Sequence, residues 1–513
     1  MIRAVVADGR AEFEALAGLA GRGGAPGADV EQAVRQIIED VRAEGDSAVV
    51  RYAAKFDGPD AAPGGRISSL SRAELKAAFE SLPTALAYAL LHAAENIRNY
   101  HKKQAAALAG YEEKFPGEGG AEGVVIGQIV RGLARVGIYV PGGTAAYPST
   151  VLMNAIPAML AGVGEIVMVT PPRKSADAPG GGAANGCGIV NVESAGAGGI
   201  PSPGEFATDD CGVATVEGCR AGGAATDDCG VVAVEGCRAG GTPAQGEFAT
   251  DAAILGAAYV AGVDRVILAG GAQAVAALAY GTDTFPRVDK IVGPGNTYVA
   301  TAKRLLYGVV DIDMIAGPSE ILVIADETAN AAFAAADLLS QAEHDPRAAS
   351  ILLTTDPGVA AAVGAHLASQ LEALSRADTA RGSIGQNGLI ILCRSEDEMA
   401  ALANEIAPEH LEILTADPFG LLVRIRNAGS VFLGPWTPEP VGDYYSGTNH
   451  VLPTSGTARY ASPLGVYDFV KRMSYTRYTE AALKKAKDDI IEIGTAEGLT
   501  AHVNAVKIRF SEG

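Results

Sequence analysis

The stretch Gly132-Leu-Ala-Arg-Val-Gly-Ile-Tyr-Val-Pro-Gly-Gly143 decides how this chain is read. Its apolar run is too short for a helix and ends in Pro-Gly-Gly, the pattern of a buried strand entering a turn. A helical run follows around Ser149 to Leu160, and Glu165-Ile-Val-Met-Val-Thr170, closed by Pro171-Pro172, is a second buried strand. Strand, helix and strand make a βαβ unit, which implies a parallel sheet. Further along, Val263-Asp-Arg-Val-Ile-Leu-Ala-Gly-Gly-Ala-Gln273 runs from a strand through Gly-Gly into a helix, and Lys290-Ile-Val-Gly-Pro-Gly-Asn296 repeats the device. Glycines at such turns let the backbone approach a phosphate, and the helix N-terminus favours an anion. Neither turn carries a full G-x-G-x-x-G, so alone they serve equally well as structural turns.

Upstream the chain reads as helical. Val34, Ile37, Ile38 and Val41 recur at helical spacing in a run from Val30 to Phe56, and Ser71-Arg-Ala-Glu74 has the form of a capping box. A chain of 513 residues is too long for one core, so roughly two to four domains are expected. With 48% apolar residues and one Trp, it has the composition of an ordinary soluble α/β protein. A formal charge of −20 argues against nucleic acid and anionic membranes as partners, because no basic stripe is available to displace counterions. The N-terminus turns acidic at Glu12 and Glu14 and lacks the basic flank and apolar centre of a secretory signal. The most apolar stretch, 252–280, is broken by Asp264-Arg265 and by glycines below the ~18 residues of a membrane span. A cytoplasmic protein is expected.

From about 174 to 250 the βαβ rhythm is interrupted by a segment rich in Gly, Ala and Asp. Ala207-Thr-Asp-Asp-Cys-Gly-Val213 recurs at Ala225, and Val216-Glu-Gly-Cys-Arg-Ala-Gly-Gly223 recurs at Val234, both offset by 18 residues. Two copies are too few for a solenoid, and large apolar residues are scarce, so the segment reads as a duplicated surface insertion. It holds five of the six cysteines (Cys187, Cys211, Cys219, Cys229, Cys237) without any C-x-x-C element. Duplication alone accounts for their regularity. Cys393, in the strand-like Leu389-Ile-Ile-Leu-Cys393, reads as a core residue.

Chemistry enters at Ala331-Ala-Phe-Ala-Ala-Ala-Asp-Leu-Leu-Ser-Gln-Ala-Glu-His-Asp-Pro346. On a helix, Gln341 and His344 leave the same face, so an amide oxygen and an imidazole nitrogen converge. Alone, the pair is as readily a solvated or capping feature. Downstream stretches add Glu409, His410, Asp443, Glu497 and His502 in loop-like contexts.

Several long motifs together resemble histidinol dehydrogenase: Ile312-Asp-Met-Ile-Ala-Gly-Pro-Ser-Glu320, Leu339-Ser-Gln-Ala-Glu-His344, Pro408-Glu-His-Leu411 and Ala428-Gly-Ser-Val-Phe-Leu-Gly434. Gly442-Asp-Tyr-Tyr-Ser-Gly-Thr-Asn-His-Val-Leu-Pro-Thr454 completes the set. The resemblance covers the chain apart from about 174–250. It implies zinc-dependent oxidation of L-histidinol to L-histidine through the aldehyde in two NAD-linked steps, at the end of histidine biosynthesis. It further implies one zinc per subunit, held by Gln341, His344, Asp443 and His502. Glu409 and His410 are implied as the acid/base pair, His410 taking the alcohol proton and Glu409 activating water. Substrate contacts implied are Ser319, Gln341, His344, His410, Asp443, Glu497 and His502, with Tyr139, Gln273 and Asn296 on the NAD side. His450 lies in a matched stretch without an assigned role.

The fold so implied is α/β: two incomplete Rossmann-like parallel-sheet domains with small helical terminal segments, in an intertwined homodimer. The expected division is a 1–25 N-terminal segment, a catalytic domain from 26–130 and 318–465, a cofactor-side domain over 131–317, and a 466–513 helical tail. That tail is expected to be exchanged between subunits, so that Glu497 and His502 complete the partner's site. A zinc hydrolase using Glu409 as base, or a binding paralogue that releases no NADH, are the rival classes. The Tyr139, Gln273 and Asn296 set favours the dehydrogenase over both.

Overall fold

The computed structural model describes residues 2–20, 27–116, 122–142, 147–172 and 250–511. Numbered along the chain, its strands are β1 (Arg3–Val6), β2 (Ser69–Leu70), β3 (Tyr111–Pro116), β4 (Glu122–Gly132), β5 (Arg135–Tyr139), β6 (Glu165–Thr170), β7 (Arg265–Leu268) and β8 (Lys290–Val292). They continue as β9 (Asp311–Ile312), β10 (Glu320–Ala325), β11 (Ala349–Thr354), β12 (Gly388–Leu392), β13 (His410–Leu414), β14 (Ser430–Leu433) and β15 (Val470–Tyr478). The βαβ reading holds: β5, the helix Pro148–Leu160 and β6 form the unit, and β5 pairs parallel with β6.

Two six-stranded sheets result. One has the order β1-β12-β11-β10-β13-β14 with every pairing parallel. The other has the order β2-β7-β6-β5-β8-β9 and is parallel apart from the antiparallel edge strand β2. Their central strands are buried because helices cover both faces, as at β10, where all six residues are buried and all but Glu320 are apolar. On one face of the second sheet Ile138 and Met168 pack with Leu152, Ile156 and Leu255. On its other face Val167, Ile267 and Ile291 meet Val34, Ile37, Val275 and Leu278. A separate antiparallel ribbon, β15-β4-β3, leaves the body of the chain.

The packing departs from the sequence division in three places. The helical run from Val30 to Phe56 is two helices, Ala28–Glu44 and Asp46–Phe56, broken at Gly45, whose φ of 60° a side chain would resist. These helices and β2 pack on the second sheet and not with the catalytic residues, because Val34, Ile37 and Val49 share its core and Leu70 pairs with Val266. β1 joins the first sheet beside β12, so the N-terminal segment is not an appendage. The C-terminal tail opens with the nine-residue strand β15 before turning helical over Glu480–Ala496 and Thr500–Lys507. Among the described residues no helix is long and apolar enough to cross a membrane.

The segment expected as an insertion, with its repeat and five cysteines, lies outside the described residues except for Thr250. The Thr250 hydroxyl donates to the Pro171 carbonyl at 3.3 Å, so the chain leaves and returns at adjoining points beyond the end of β6.

The Ser71 capping box is complete. The Ser71 amide donates to Glu74 Oε2 at 2.7 Å and the Glu74 amide donates to Ser71 Oγ at 3.4 Å. Replacing Ser71 by Ala is expected to destabilise the fold by about 1 kcal/mol, read as a lower urea midpoint at unchanged slope, whereas Ser71→Thr retains most of the capping.

Candidate active site

The first sheet turns the N-terminal ends of β10 and β13 toward the site, with Ile321 opposite His410. Just before β13 the helix Glu396–Ile406 closes at Ala407 with a φ of 50°, a left-handed conformation that costs an alanine on the order of 1 kcal/mol. Pro408 then forces an extended path, and Glu409 arrives buried. Its carbonyl accepts from the Ser430 amide at 2.9 Å, and its Oε2 accepts from the Glu320 amide at 2.9 Å. Burial pushes the Glu409 carboxyl well above the carboxylate range.

His410 is fixed by its position at the start of β13. Its Nδ1 lies 3.0 Å from the Glu320 carbonyl, which can only accept, so Nδ1 carries the proton and Nε2 is the free base. That Nε2 is buried without a hydrogen-bond partner among the described residues. Burial pushes the ring pKa down to about 4, helped by the neighbouring His450 and His344, so the imidazole is neutral at physiological pH. His450 is half-buried, its Nε2 has no hydrogen-bond partner among the described residues, and it lies beside the same cluster.

Facing His410, Glu439 and Asp443 stand one turn apart on the helix Glu439–Tyr444. His410 Nε2 is 3.8 Å from Glu439 Oε1 and 3.9 Å from Asp443 Oδ1, and one donor atom from each of the three residues falls within 4.8 Å of the others. Glu439 is 2% exposed, and its Oε1 has no hydrogen-bond partner among the described residues. The Glu439 amide donates to Glu412 Oε1 at 2.7 Å and Ser340 Oγ donates to Glu439 Oε2 at 3.3 Å, which ties this helix to β13 and to the helix Ala331–Ala342. Burial, with Asp443 nearby, drives the Glu439 carboxyl upward, and burial raises Asp443 in turn. A divalent cation beside these two carboxylates would reverse that balance, so Asp443 with Glu439 behind it fits a metal. Glu439 is missing from the residues singled out in the sequence. Its spacing in Pro438-Glu-Pro-Val-Gly-Asp443 was the available signal, since carboxylates four apart share a helix face.

Gln341 is 1% exposed near the end of its helix and its amide faces Glu439. The helix stops at Ala342 and does not extend to Pro346, so His344 lies in the following turn, held by its amide donating to the Gln341 carbonyl at 3.2 Å. Ser319 is half-buried immediately before Glu320. Glu497 and His502 are exposed on the C-terminal arm and are not in the His410, Glu439 and Asp443 group of this chain. Their helices pack on each other, with Val503 against Gly494. The arm leaves Ile493 and Ile508 63% and 61% exposed, an apolar surface uncovered in a single chain.

The second sheet presents its opposite edge. Tyr139 ends β5, Gln273 lies in the helix Gly271–Tyr280 after β7, and Asn296 follows β8, all at C-terminal strand ends where open parallel sheets bind nucleotides. Tyr139 is buried, its hydroxyl accepts from the Gly271 amide at 2.9 Å, and burial pushes it up to about 12. Asn296 is exposed, with its side chain capping the next helix by accepting from the Tyr298 and Val299 amides at 3.0 and 3.1 Å. Gln273 differs from both: it is 1% exposed, and neither its Nε2 nor its Oε1 has a partner among the described residues. A buried primary amide with both ends unmet fits a polar ligand.

The family model for histidinol dehydrogenase matches residues 22–202 and 231–510. The interior gap, 203–230, is narrower than the insertion inferred from sequence and contains one repeat copy whole. The chain is 46% identical over 483 residues to a histidinol dehydrogenase of Bacillus thuringiensis subsp. konkukian, covering 94% of this chain and 93% of that one. It is 44% identical over 503 residues to that of Clostridium acetobutylicum, covering 98% and 97%. The crystal structure of histidinol dehydrogenase from Elizabethkingia anophelis superposes with a TM-score of 0.76 at 33% identity, covering 99% of this chain and 98% of that one.

The buried carboxylates set a pH dependence. Glu439 is raised in the fold above its ordinary value of 4.5, so the stability it contributes is full below that pH and is lost as pH rises through the folded value. The melting temperature of chelator-treated protein is therefore expected to fall as pH rises above about 5, more steeply than that of Glu439→Gln, with zinc removing most of the difference. Parallel pH profiles for the two metal-free proteins would contradict this.

Proposed function

The chain belongs to the histidinol dehydrogenase family of NAD-linked oxidoreductases, and from that premise we propose a two-step, zinc-dependent oxidation of L-histidinol to L-histidine through the aldehyde. The observation that carries this reading is His410: a neutral imidazole with Nδ1–H committed to a backbone carbonyl and Nε2 buried and open beside two carboxylates. Such a ring can take one proton from a bound alcohol and cannot rotate away.

Gln341, His344 and Asp443 would hold the metal from one chain, and His502 of the partner subunit would complete it. When bound, zinc orients and polarises the substrate and NAD accepts hydride. His410 takes the alcohol proton at Nε2, where its lowered pKa keeps the base form available. Glu409, raised by burial, is a strong base once ionised and takes the proton of the water that adds to the aldehyde, supplying the second carboxylate oxygen. Glu439 keeps the helix of Asp443 against Glu412 and Ser340. Glu497 of the partner subunit would meet the substrate ammonium, with Ser319 on the β10 side. On the NAD side Gln273 offers open hydrogen-bonding capacity, while Tyr139 and Asn296 act through the turns they hold.

Exposure of Glu497 and His502 on an arm with uncovered Ile493 and Ile508 supports a homodimer with exchanged tails.

NADH formed per L-histidinol consumed is expected to be about two, falling to background after chelation and returning with zinc. Glu409→Gln is expected to move the ratio toward one with aldehyde accumulating. His410→Asn is expected to lower kcat by about 100-fold to 10,000-fold at unchanged zinc content. Stopped-flow NADH absorbance with product analysis reads all three, and turnover without NADH would contradict the proposal.

A further inference from the structure

Away from the reacting centre, Lys303 and Asp313 form an ion pair with side chains 3% and 1% exposed. Lys303 Nζ donates to the Gly293 carbonyl at 2.9 Å and to Asp313 Oδ1, and the Gly293 amide donates to Asp313 Oδ2 at 2.7 Å. The three residues close a ring around one backbone position: both polar groups of Gly293 are held, each by one member of a pair that also holds itself.

Gly293 is where that restraint has most effect. Its φ is +104°, and a Cβ there would stand 2.2 Å from the Tyr139 carbonyl oxygen, so the ends of β8 and β5 meet at a point only glycine allows. It opens Gly293-Pro-Gly-Asn296, whose last residue caps the helix Thr297–Leu306 that carries Lys303. Tyr139, pressed against Gly293, holds the Gly271 amide with its hydroxyl. The ring therefore fixes one glycine turn directly and is linked through Tyr139 to the other, two residues before the unmet Gln273 amide.

Stability does not account for the pair, because burying two charges in place of well-packed apolar side chains is often neutral or unfavourable. Its geometry points to orientation. We infer that Lys303 and Asp313 are positioning residues for the nicotinamide dinucleotide, keeping the Gly293 to Asn296 turn in its ligand-accepting conformation. This rests on reading the Tyr139, Gln273 and Asn296 crevice as the NAD side.

The test is NADH binding, by fluorescence, to the zinc-loaded full chain and to Lys303→Met/Asp313→Leu, with L-histidinol affinity, zinc content and melting temperature measured in parallel. If the loosened turn adopts the accepting conformation a tenth of the time, the NADH Kd rises about tenfold, while histidinol affinity and zinc content stay within about twofold. An unchanged NADH Kd in the variant overturns the inference alone. Equal weakening of NADH and histidinol also overturns it, as general loosening. Absence of NADH binding by the unmodified protein overturns the reading of the crevice, and the inference with it. Should the double variant not fold, Asp313→Asn is read the same way: one oxygen must then serve Lys303 Nζ and the Gly293 and Met314 amides, and a several-fold loss confined to NADH is expected.

Discussion

His410 Nδ1–H is held by the Glu320 carbonyl across the β10 and β13 pair, and the site depends on that bond. It fixes the tautomer, aims Nε2 at Glu439 and Asp443, and requires the two strands to start in register. The same corner places the Glu409 carboxyl on the Glu320 amide, so both polar groups of one peptide position are used by the two adjacent residues. Both contacts are buried, where an unmet donor or acceptor costs about 1–3 kcal/mol, and this keeps the pair from drifting.

The two sheets are used at opposite edges. The first presents Glu320 and His410 at the N-terminal ends of β10 and β13, and the second presents Tyr139, Gln273 and Asn296 at or just beyond the C-terminal ends of β5, β7 and β8. The chain from Asp443 to Thr454 joins them. Asn449 Nδ2 donates to the Met153 carbonyl in the second body at 2.7 Å, and Thr454 Oγ1 accepts from the Gly317 amide at 2.7 Å.

The parallel sheets were legible because Gly132 to Thr170 alternates short apolar strands with a longer apolar run of helical length, and β5, β6 and the helix between them fall where that pattern puts them. The break at Gly45 was less legible, since helical spacing continues through it and only the backbone reveals the kink. The packing of the helices Ala28–Glu44 and Asp46–Phe56 on the second sheet is a tertiary choice that their apolar stripes do not encode. At the site, His410 and Asp443, both in motifs singled out in the sequence, come together with Glu439. Tyr139 and Asn296 prove occupied by internal hydrogen bonds: the Asn296 cap was visible as an Asn before a helical run, whereas the Tyr139 partner, Gly271, lies too far along the chain for a local pattern to announce. Glu439 was overlooked although its spacing to Asp443 was visible, because a Glu beside two prolines reads first as a turn.

The central claim is that each site takes His410 from one subunit and His502 from the other. Activity should be measured after refolding an equal mixture of His410→Asn and His502→Ala chains, each inactive alone. Half the dimers would be mixed and carry one intact site, so about a quarter of the unmodified activity is predicted. No recovery, with mixed dimers demonstrated by differential tagging, would contradict the exchange and leave His502 outside the partner's site.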